Sequence, residues 1–322
     1  MTKLYPLKFH PILKQRVWGG YDLVTKLGKS GSTGIPLGES WEISGVEEDI
    51  SIVSNGFLEG NDLNDLVEIY LGDLTGDSIY EKYGNEFPLL IKILDIQESL
   101  SLQVHPDDIT ARDRHNSYGK TECWYIMEAS PNSKIYLGLN RDLTPQELFD
   151  KCNNDTIIDN LNVITPVKGD IIYIKPGTLH AATGGILLAE VQQISDITYR
   201  VYDWGRERNK ATAREMHLDL AIDCIDYEKS DPSTIVYKKG SVVNPYFKIQ
   251  SIKIENNYNR ESNLFNSFII YLCTEGKAHI VGGGISEELK KGETALIPAS
   301  MGEYSIEGNC TLLEITACPV TE

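Results

Sequence analysis

The 322-residue chain predicts a mainly β fold with a few helices, built as two β-barrel units. Most of residues 119–202 and 234–318 consists of short strand-like runs separated by glycine, proline and asparagine, a pattern typical of sandwiches and barrels. An internal repeat supports a duplication, because residues 168–180 and 291–304 each combine a Lys-Gly-acidic turn, a strand and a proline-started turn. A chance match of this common pattern is the alternative interpretation.

Strands and helices are expected in a definite order along the chain. Residues 41–58 alternate polar and apolar side chains and are rich in β-branched residues, which predicts strands. Leucine, valine and isoleucine at spacings of three and four predict one or two helices over 61–84. A dense apolar run over 87–105 predicts further strands. Additional short helices are expected at 106–116, at 144–161 behind a Thr-Pro-Gln-Glu capping sequence, and at 207–223.

Composition and charge exclude several classes of protein. A hydrophobic content of 41% is that of a folded chain, and no run approaches the roughly 20 apolar residues of a membrane span. The six scattered cysteines, without a Cys-x-x-Cys pair, are typical of a reducing compartment, so we expect a cytoplasmic protein. A net charge of −17 argues against a nucleic acid or an anionic membrane as partner. A small anionic substrate would need a local basic pocket.

Three short motifs carry residues that bind metals. Gln103 and His105 are two residues apart, so on a strand both side chains leave the same face. Lys120 and Glu122 share a face by the same rule, and His180 ends a Pro-Gly turn after an apolar strand. Two imidazoles, a carboxylate and an amide oxygen suit a first-row metal, with zinc preferred. A His₂Glu set with one open or weakly held position is typical of a catalytic zinc.

Other charged residues interrupt apolar strands. Lys92 lies within one apolar run and Glu190 follows another, and each is either part of an internal ion pair or a working group with a shifted pKa. The residues alone favour neither interpretation. Arg200 lies between Tyr199 and Val201, and Arg206 follows shortly after. Arginine suits bidentate contacts with carboxylate or phosphate oxygens, whereas a solvated edge strand is the alternative for Arg206.

Four motifs in the same order resemble type I mannose-6-phosphate isomerase, most closely its short bacterial form. They are Gln103-Val104-His105-Pro106-Asp107-Asp108, Gly119-Lys120-Thr121-Glu122-Cys123-Trp124-Tyr125, Pro176-Gly177-Thr178-Leu179-His180-Ala181, and Glu190-Val191-Gln192-Gln193 leading to Asp196-Ile197-Thr198-Tyr199-Arg200. The resemblance covers nearly the whole chain. It implies a cupin-type fold with two jelly-roll-like β-barrel units: a catalytic unit at 1–225 with helical insertions, and a C-terminal cupin-like unit at 234–322 that lacks metal ligands.

The resemblance also implies a set of site residues. It assigns one zinc ion per chain to Gln103, His105, Glu122 and His180, and a catalytic role to Arg200. It places further residues in or around the substrate pocket: Ser101, Lys92, Lys120, Glu190 and Arg206. Longer members of the family carry a helical insertion between the glutamate and the second histidine. Here the insertion is reduced to the predicted helix at 144–161.

The implied reaction interconverts mannose 6-phosphate and fructose 6-phosphate by moving a proton between C2 and C1. It needs a base that removes the proton and groups that stabilise the resulting enediolate. Zinc and Arg200 would stabilise the enediolate. Glu190, Lys120 and a zinc-bound water are all candidates for the base, with Glu190 the first choice. Candidates for holding the phosphate are Arg206, Lys92 and Ser101.

Two other functions compete with the isomerase. One is a metal-containing cupin that binds sugar phosphates without catalysis. The other is an iron-dependent cupin oxygenase, which the glutamine in the ligand set and the lack of a third nearby histidine disfavour. We expect a monomer or a weak homodimer, with a small-molecule sugar phosphate as ligand.

Overall fold

The computed structural model describes residues 3–32, 34–211, 213–238, 240–263 and 266–318. Within these ranges the strands are β1 Ile12–Gly20, β2 Leu37–Ile43, β3 Leu89–Ile96, β4 Leu102–Val104, β5 Glu122–Ala129, β6 Lys134–Leu139, β7 Leu161–Ile164, β8 Ile171–Ile174, β9 His180–Thr183, β10 Ile186–Gln193, β11 Tyr199–Tyr202, β12 Val236–Tyr237, β13 Ser241–Val243, β14 Phe247–Glu261, β15 Ile269–Gly282, β16 Ile285–Lys290, β17 Thr294–Ile297 and β18 Glu303–Ala317. The α-helices are α1 Asp22–Thr25, α2 Leu63–Tyr70, α3 Gly72–Thr75, α4 Asp77–Tyr83, α5 Asp108–His115, α6 Pro145–Asn153 and α7 Leu218–Ala221. No helix in these ranges is long and apolar enough to cross a membrane.

Helices form in three of the regions where the sequence predicts them. The region 61–84 contains α2, α3 and α4, and α5 lies within 106–116. At the start of α6, Thr144 accepts a hydrogen bond from the backbone of Glu147, whose side chain accepts one from the backbone of Thr144. This capping box satisfies two N–H groups that would otherwise lack partners at the helix start, which explains why the capping sequence predicted α6.

The helix predicted over 207–223 is wrong for most of its length. Among the described residues of that region, only α7 and a 3₁₀ turn at Arg206–Arg208 are helical. Residues 206–217 are dominated by charged and polar side chains with no apolar stripe, so a helix would have nothing to bury. Arg206 and Arg214 bind the fully buried Asp203 instead, which holds the segment in an irregular path.

The predicted strands over 41–58 form only in part. β2 ends at Ile43, and Ile52 and Val53 make isolated bridges rather than a strand. The intervening residues close a loop on themselves, because the backbone of Ser51 donates to the carbonyl of Ser44 and the Ser51 hydroxyl accepts from the Ser44 backbone. Loop closure therefore competes successfully with strand pairing in this segment.

The strands form three open sheets, which confirms the mainly β prediction. One sheet has seven strands in the order β1-β2-β3-β10-β5-β8-β12, and a second has five in the order β11-β4-β9-β6-β7. Apolar side chains from both sheets pack together between them, among them Ile126 and Leu188 from the first and Leu137 and Ala182 from the second. A third sheet, in the order β13-β14-β18-β15-β16 with β17 paired to β15, contains the C-terminal strands.

The seven-stranded sheet is buried on both faces. Along β10, Ala189 and Val191 belong to a core shared with the helices and the C-terminal strands, whereas Leu188 points between the two facing sheets. Strand side chains alternate with period two, so Glu190 and Gln192 also point between the sheets. The alternation therefore directs polar groups of this sheet into the space that faces the five-stranded sheet.

The two copies of the internal repeat fold alike. In each, a short strand (β8 or β17) is followed by a turn and a second strand, at whose start lie His180 and Tyr304, respectively. The Tyr304 hydroxyl lies 2.8 Å from that of Tyr271, which donates to Glu314 at 2.9 Å. The C-terminal copy thus places a tyrosine and carboxylate network where the first copy places an imidazole.

The large shared core gives a direct test of the fold. Phe268 is fully buried, and its ring centroid lies 4.6 Å from that of Phe87, which joins the C-terminal strands to the segment before β3. We expect Phe268→Ala to lower the free energy of unfolding by about 3–5 kcal/mol in urea denaturation, because the truncated side chain leaves a cavity. Phe149→Ala on the exposed side of α6 is the control, and an equal loss in both variants would contradict this assignment.

Candidate active site

Three polar side chains form a row across the five-stranded sheet. Gln103 of β4 lies opposite His180 of β9 on one side and Arg200 of β11 on the other. Residues directly opposite each other in an antiparallel pair project from the same face, so all three point to the same side. The register therefore brings together residues that are far apart in the sequence.

The facing sheet contributes carboxylates and a lysine at the same level. Glu122 begins β5 and lies opposite Gln192, while Glu190 lies opposite Lys92 on β3 and Trp124 on β5. Glu122 and Trp124 are two residues apart, as are Glu190 and Gln192, so these side chains share one face. The site is consequently built between the two sheets, with imidazoles on one wall and carboxylates on the other.

His105, Glu122 and His180 converge on one point. Nε2 of His105 lies 3.4 Å from Oε2 of Glu122, and Nε2 of His180 lies 3.3 Å from Oε1. All three side chains are buried, and their potential ligand atoms lie within 4.8 Å of one another. Among the residues that the structure describes, this is the one group of three or more His, Cys, Asp or Glu side chains so arranged.

The protonation of the two imidazoles follows from their second nitrogens. Nδ1 of His105 lies 3.1 Å from the carbonyl of Ile197, and Nδ1 of His180 lies 2.9 Å from that of Thr178. A carbonyl oxygen only accepts, so both Nδ1 atoms donate and both Nε2 atoms keep a lone pair. Those lone pairs face the Glu122 carboxylate, which carries further lone pairs.

This arrangement of acceptors favours a bound cation. Both carboxylate oxygens of Glu122 are buried, and neither accepts a hydrogen bond, although Lys120 Nζ lies 3.0 Å from Oε2. A buried carboxylate without hydrogen bonds is costly, whereas a divalent ion between it and two imidazole Nε2 atoms would satisfy all three ligands. The backbone carbonyls that orient the histidines are the partners that metal-binding imidazoles ordinarily have. The donor set therefore fits a first-row metal ion.

The electrostatics of the site keep these groups in their metal-binding forms. Burial, together with the charge of Lys120, lowers the pKa of His105 to about 3, so the ring is neutral. Burial by itself would raise the pKa of Glu122, but the charge of Lys120 outweighs it and holds that pKa well below its usual range. Glu122 is therefore ionised at neutral pH.

The amide of Gln103 lies beside His180. Its Nε2 is 3.1 Å from Nε2 of His180, so in this arrangement the amide donates to the imidazole lone pair. Rotating the amide by half a turn would place Oε1, the atom that can bind a cation, at the same point. Gln103 therefore lies beside the other predicted metal ligands, with its amide NH₂ group rather than its oxygen toward His180.

Lys120 is inside the site rather than on the surface. It is only 3% exposed, and its Nζ lies 3.4 Å from Nε2 of His105 as well as near Glu122. The shared face of Lys120 and Glu122 that strand periodicity predicts is therefore a buried one.

Glu190 and Lys92 belong to a buried network. Lys92 Nζ lies 3.6 Å from Glu190 and 3.2 Å from Asp196, and it also lies 4.5 Å from the centre of the Trp41 ring. Burial lowers the pKa of Lys92, but Asp196 and Glu190 outweigh it and raise that pKa overall. Burial and the charge of Glu122 raise the pKa of Glu190, whose carboxylate accepts from Trp124 Nε1 at 2.9 Å. The ion pair and the shifted pKa thus occur together.

Several residues of the site escaped the sequence analysis. Asp196 pairs with Lys92, and Trp41 Nε1 donates to Glu39 at 2.7 Å while Arg16 Nε donates to the same carboxylate at 2.7 Å. Glu39 and Trp41 lie two apart on β2, next to β3, so they extend the polar face that contains Lys92. The carboxylate of Glu39 within a strand-like run was the available signal.

Arginines from both facing sheets and from the segment after β11 lie near one another beside the site. Arg206 Nη2 and Arg214 Nε donate to the buried Asp203 carboxylate at 2.7 and 3.1 Å. Arg200 Nη1 donates to the carbonyl of Glu215, while its Nε is buried without a hydrogen-bond partner. Burial and the nearby charges of Arg214, Arg206 and Arg16 lower the pKa of Arg200 to about 10, so it remains charged at neutral pH. We refer to Arg16, Arg200, Arg206 and Arg214 as the arginine rim.

The remaining predicted residue, Ser101, is 1% exposed and lies two residues before Gln103. Arg206 approaches the same segment, because its Nη2 also donates to the carbonyl of Ser99. The structure thus gathers the predicted metal ligands and Lys120 around one point, with Lys92 and Glu190 in the adjoining network. Ser101, Arg200 and Arg206 lie along the other side.

Comparison with known proteins agrees with this architecture. The model of the phosphomannose isomerase type I catalytic domain matches residues 7–122, and that of the mannose-6-phosphate isomerase cupin domain matches residues 238–317. Mannose-6-phosphate isomerase ManA of Bacillus subtilis is 33% identical over 318 residues, which cover 94% of this chain and 96% of that protein. The mannose-6-phosphate isomerase of Streptococcus mutans is 30% identical over 319 residues, which cover 96% and 97% of the two chains.

A solved structure shows the same fold. The crystal structure of the mannose 6-phosphate isomerase from Bacillus subtilis matches with a TM-score of 0.83 and 31% identity, covering 97% of this chain and 99% of that one. The matches extend over nearly the full length of the chain, as the sequence motifs implied. The chain therefore belongs to the type I mannose-6-phosphate isomerase family and is an isomerase of that family.

Proposed function

We propose that the chain is a zinc-dependent aldose-ketose isomerase that interconverts mannose 6-phosphate and fructose 6-phosphate by proton transfer through an enediolate. The observation that carries the metal part of the proposal is the buried Glu122 carboxylate, unsatisfied by hydrogen bonds and faced by two imidazole lone pairs. One zinc ion per chain would be held by His105, Glu122 and His180. Gln103 would join them through Oε1 once its amide has turned over.

The catalytic roles are assigned to the metal ion and to the residues around it. A bound zinc ion would act as a Lewis acid on the C1 and C2 oxygens of the sugar. Glu190, with a pKa raised by burial, is suited to accept the proton from the carbon next to the carbonyl and to return it to the neighbouring carbon, while the hydroxyl proton moves between the two sugar oxygens. Arg200 would stabilise the negative charge that develops on the sugar oxygens, and Lys120 would bind a sugar hydroxyl beside Glu122.

The arginine rim is suited to bind the phosphate. Its four guanidinium groups bind two carboxylates, Glu39 and Asp203, so two positive charges are left over. A phosphate monoester carries about −1.5 to −2 charges at pH 7, which matches that excess. Arg206 was predicted to hold the phosphate with Lys92 and Ser101, and the structure adds Arg214 to this proposal. Lys92 shares its charge with Asp196 and Glu190, which suits it to the sugar end of the substrate.

Replacing Arg214 tests the phosphate assignment. We expect Arg214→Gln to raise the KM for mannose 6-phosphate by about 10- to 100-fold with little change in kcat, because charge-assisted hydrogen bonds to a uniformly bound group are lost. Inorganic phosphate should also inhibit the variant less. Arg208→Gln is the matched control, since Arg208 lies on the same segment but pairs with Asp155 at the surface. An unchanged KM and an unchanged phosphate inhibition in Arg214→Gln would rule out its role.

The domain assignment is also a proposal. We propose that residues 1–225 form the catalytic cupin unit, with the helices of 61–84, 106–116 and 144–161 as insertions, and that residues 234–322 form the C-terminal cupin-like unit. Residues 1–2, 33, 212, 239, 264–265 and 319–322 of these units lie outside the described residues. The shared core, which includes Phe247 and Leu296 together with Leu7 and Ile91, supports a C-terminal unit that buttresses the seven-stranded sheet.

The overall function is tested by metal analysis combined with an isomerase assay. The purified protein should contain close to one equivalent of zinc, convert mannose 6-phosphate to fructose 6-phosphate, lose turnover on chelation and regain it with zinc. In D₂O, deuterium should enter the product at the carbon that receives the proton, as transfer through an enediolate requires. Binding of the sugar phosphate without turnover in a zinc-replete sample would instead indicate a non-catalytic cupin, and iron in place of zinc would revive the oxygenase alternative.

A further inference from the structure

His217 completes the hydrogen bonding of the strand that carries Arg200. β11 is an edge strand of the five-stranded sheet, and its inner neighbour is β4, where Gln103 lies opposite Arg200. On the outer edge, the backbone N–H of Arg200 donates to His217 Nδ1 at 3.1 Å. The carbonyl of Arg200 accepts a hydrogen bond from the backbone N–H of His217 at 2.9 Å. Both edge groups of Arg200 therefore pair with a single residue.

An imidazole nitrogen here takes the place of a backbone carbonyl. In a regular antiparallel ladder, one residue of the neighbouring strand supplies both the accepting C=O and the donating N–H. His217 supplies the N–H from its backbone and the acceptor from its side chain, immediately before α7 begins. Without that acceptor, the Arg200 N–H would lose its partner at a partly buried position, which costs free energy.

The same short segment also holds the Arg200 side chain. Arg200 Nη1 donates to the backbone carbonyl of Glu215, two residues before His217. Residues 215–217 therefore contact Arg200 at its backbone N–H, its carbonyl and its guanidinium. Arg200 Nε is buried with no hydrogen-bond partner, so it remains available to an oxygen of a bound molecule.

We propose that His217 is a positioning residue that fixes Arg200 through its neutral, Nδ1-accepting form. The inference rests on the role of Arg200 in the proposed function. Nδ1 can accept only while it carries no proton, so the single proton of the neutral ring is on Nε2. A second proton would turn Nδ1 into a donor that opposes the Arg200 N–H, and it would add a positive charge beside the guanidinium.

The surroundings of His217 favour the neutral ring. Burial and the charge of Arg200 lower the pKa of His217, and Glu215 opposes them in part. Glu215 is the only carboxylate close to the ring among the described contacts, at 3.9 Å from Nε2, and its side chain is 84% exposed, so its effect is screened by solvent. The other titratable or charged groups that face or back the ring are Arg200 and Tyr199 on β11 and, beyond Tyr199, His115 and Arg114 on α5.

Asparagine is the informative replacement for His217. Its Oδ1 is attached at the same point of the side chain as histidine Nδ1, accepts a hydrogen bond and does not titrate. His217→Asn should therefore keep Arg200 in place, whereas His217→Ala removes the acceptor. His279→Asn is the matched control, because His279 lies on β15 with a half-exposed side chain near Glu288.

Two measurements on the zinc-loaded, full-length protein test the proposal. In hydrogen exchange, the Arg200 amide should exchange about ten-fold faster in His217→Ala than in wild type, and at nearly the wild-type rate in His217→Asn. In the isomerase assay, kcat/KM for mannose 6-phosphate should fall about ten-fold in His217→Ala at pH 7.5 and be largely retained in His217→Asn. His279→Asn should match wild type in both.

The pH dependence separates positioning from a purely structural role. The ratio of wild-type to His217→Asn kcat/KM cancels the titration of the substrate and of the other site residues. That ratio should be constant at neutral pH and fall only as the pH decreases through the lowered pKa of His217, because the histidine but not the asparagine is protonated. If His217→Ala does not fold, this ratio still decides the question.

Two outcomes would contradict the proposed role of His217 and leave the proposed function of the protein unaffected. These are a pH-independent ratio of wild type to His217→Asn, or wild-type exchange of the Arg200 amide in folded His217→Ala. The proposed role of Arg200 is tested separately by Arg200→Gln. If that variant kept full turnover, the role of Arg200 would be wrong, while amide exchange would still report on the hydrogen bond to His217.

Discussion

Replacing Glu122 by glutamine is expected to abolish both metal binding and turnover. The substitution keeps the shape of the side chain but removes the negative charge that would hold the cation between the two imidazoles. It also leaves Lys120 buried without its carboxylate partner. Lewis-acid catalysis is worth several kcal/mol, so we expect kcat to fall by about 1,000-fold or more. Zinc content by mass spectrometry should fall well below one equivalent.

A residue on the same strand provides the control for Glu122. Glu128 lies near the end of β5, where it pairs with Lys26 at 2.8 Å and with Lys291, and its side chain is about one-third exposed. Glu128→Gln should keep its zinc and its turnover. Full zinc occupancy with wild-type turnover in Glu122→Gln would refute the proposed metal site. Circular dichroism of each variant serves as the control for folding.

Replacing Glu190 by glutamine is expected to reduce kcat while leaving zinc in place. A general base contributes about 10²- to 10⁴-fold to the rate, and glutamine cannot accept the proton. Glutamine can still contact Trp124 and Lys92, so the walls of the site should be preserved. Exchange of substrate hydrogen with D₂O should slow by the same factor as turnover, because both processes use the same proton transfer.

The pH profile gives an independent check on Glu190. Burial raises its pKa above the usual value of 4.5, and a base works only when deprotonated. Turnover should therefore fall as the pH decreases through that raised pKa, and the corresponding acid limb should disappear in Glu190→Gln. Lys120→Met is the comparison variant. If Lys120→Met lost deuterium exchange and Glu190→Gln kept it, Lys120 would be the base instead.

Local sequence patterns were sufficient for features that depend on one segment. The Thr-Pro-Gln-Glu sequence marked the start of α6 with its capping box. Lys120 and Glu122 were predicted to lie together, and their side chains do, although only Glu122 belongs to a strand. The 207–223 prediction failed because the arginines of that segment bind Asp203, a contact that no local periodicity encodes. Similarly, the loop after β2 closes through Ser44 and Ser51 although its composition favours a strand.

The arginine rim and the buried network around Lys92 depend on contacts between distant segments. Asp196 is 104 positions from Lys92, and Arg16 approaches the site from β1. Sequence analysis recognised Lys92 as either an ion pair or a working group but could not name its partners. The structure shows that its partners are Asp196 and Glu190, so the two interpretations describe the same arrangement.

Four ordered motifs were sufficient to recognise the family, and strand period and turn residues were sufficient to predict the mainly β class, because these are local properties of the sequence. The fold was needed to establish that Gln103 lies between His180 and Arg200, that both Glu122 oxygens lie near imidazole nitrogens, and that His217 completes the edge at Arg200. Those relations follow from strand order and register, which are set by packing between segments far apart in the chain. The period of two predicts on which face of a strand a side chain lies, but it does not predict which strand pairs with it or in which register.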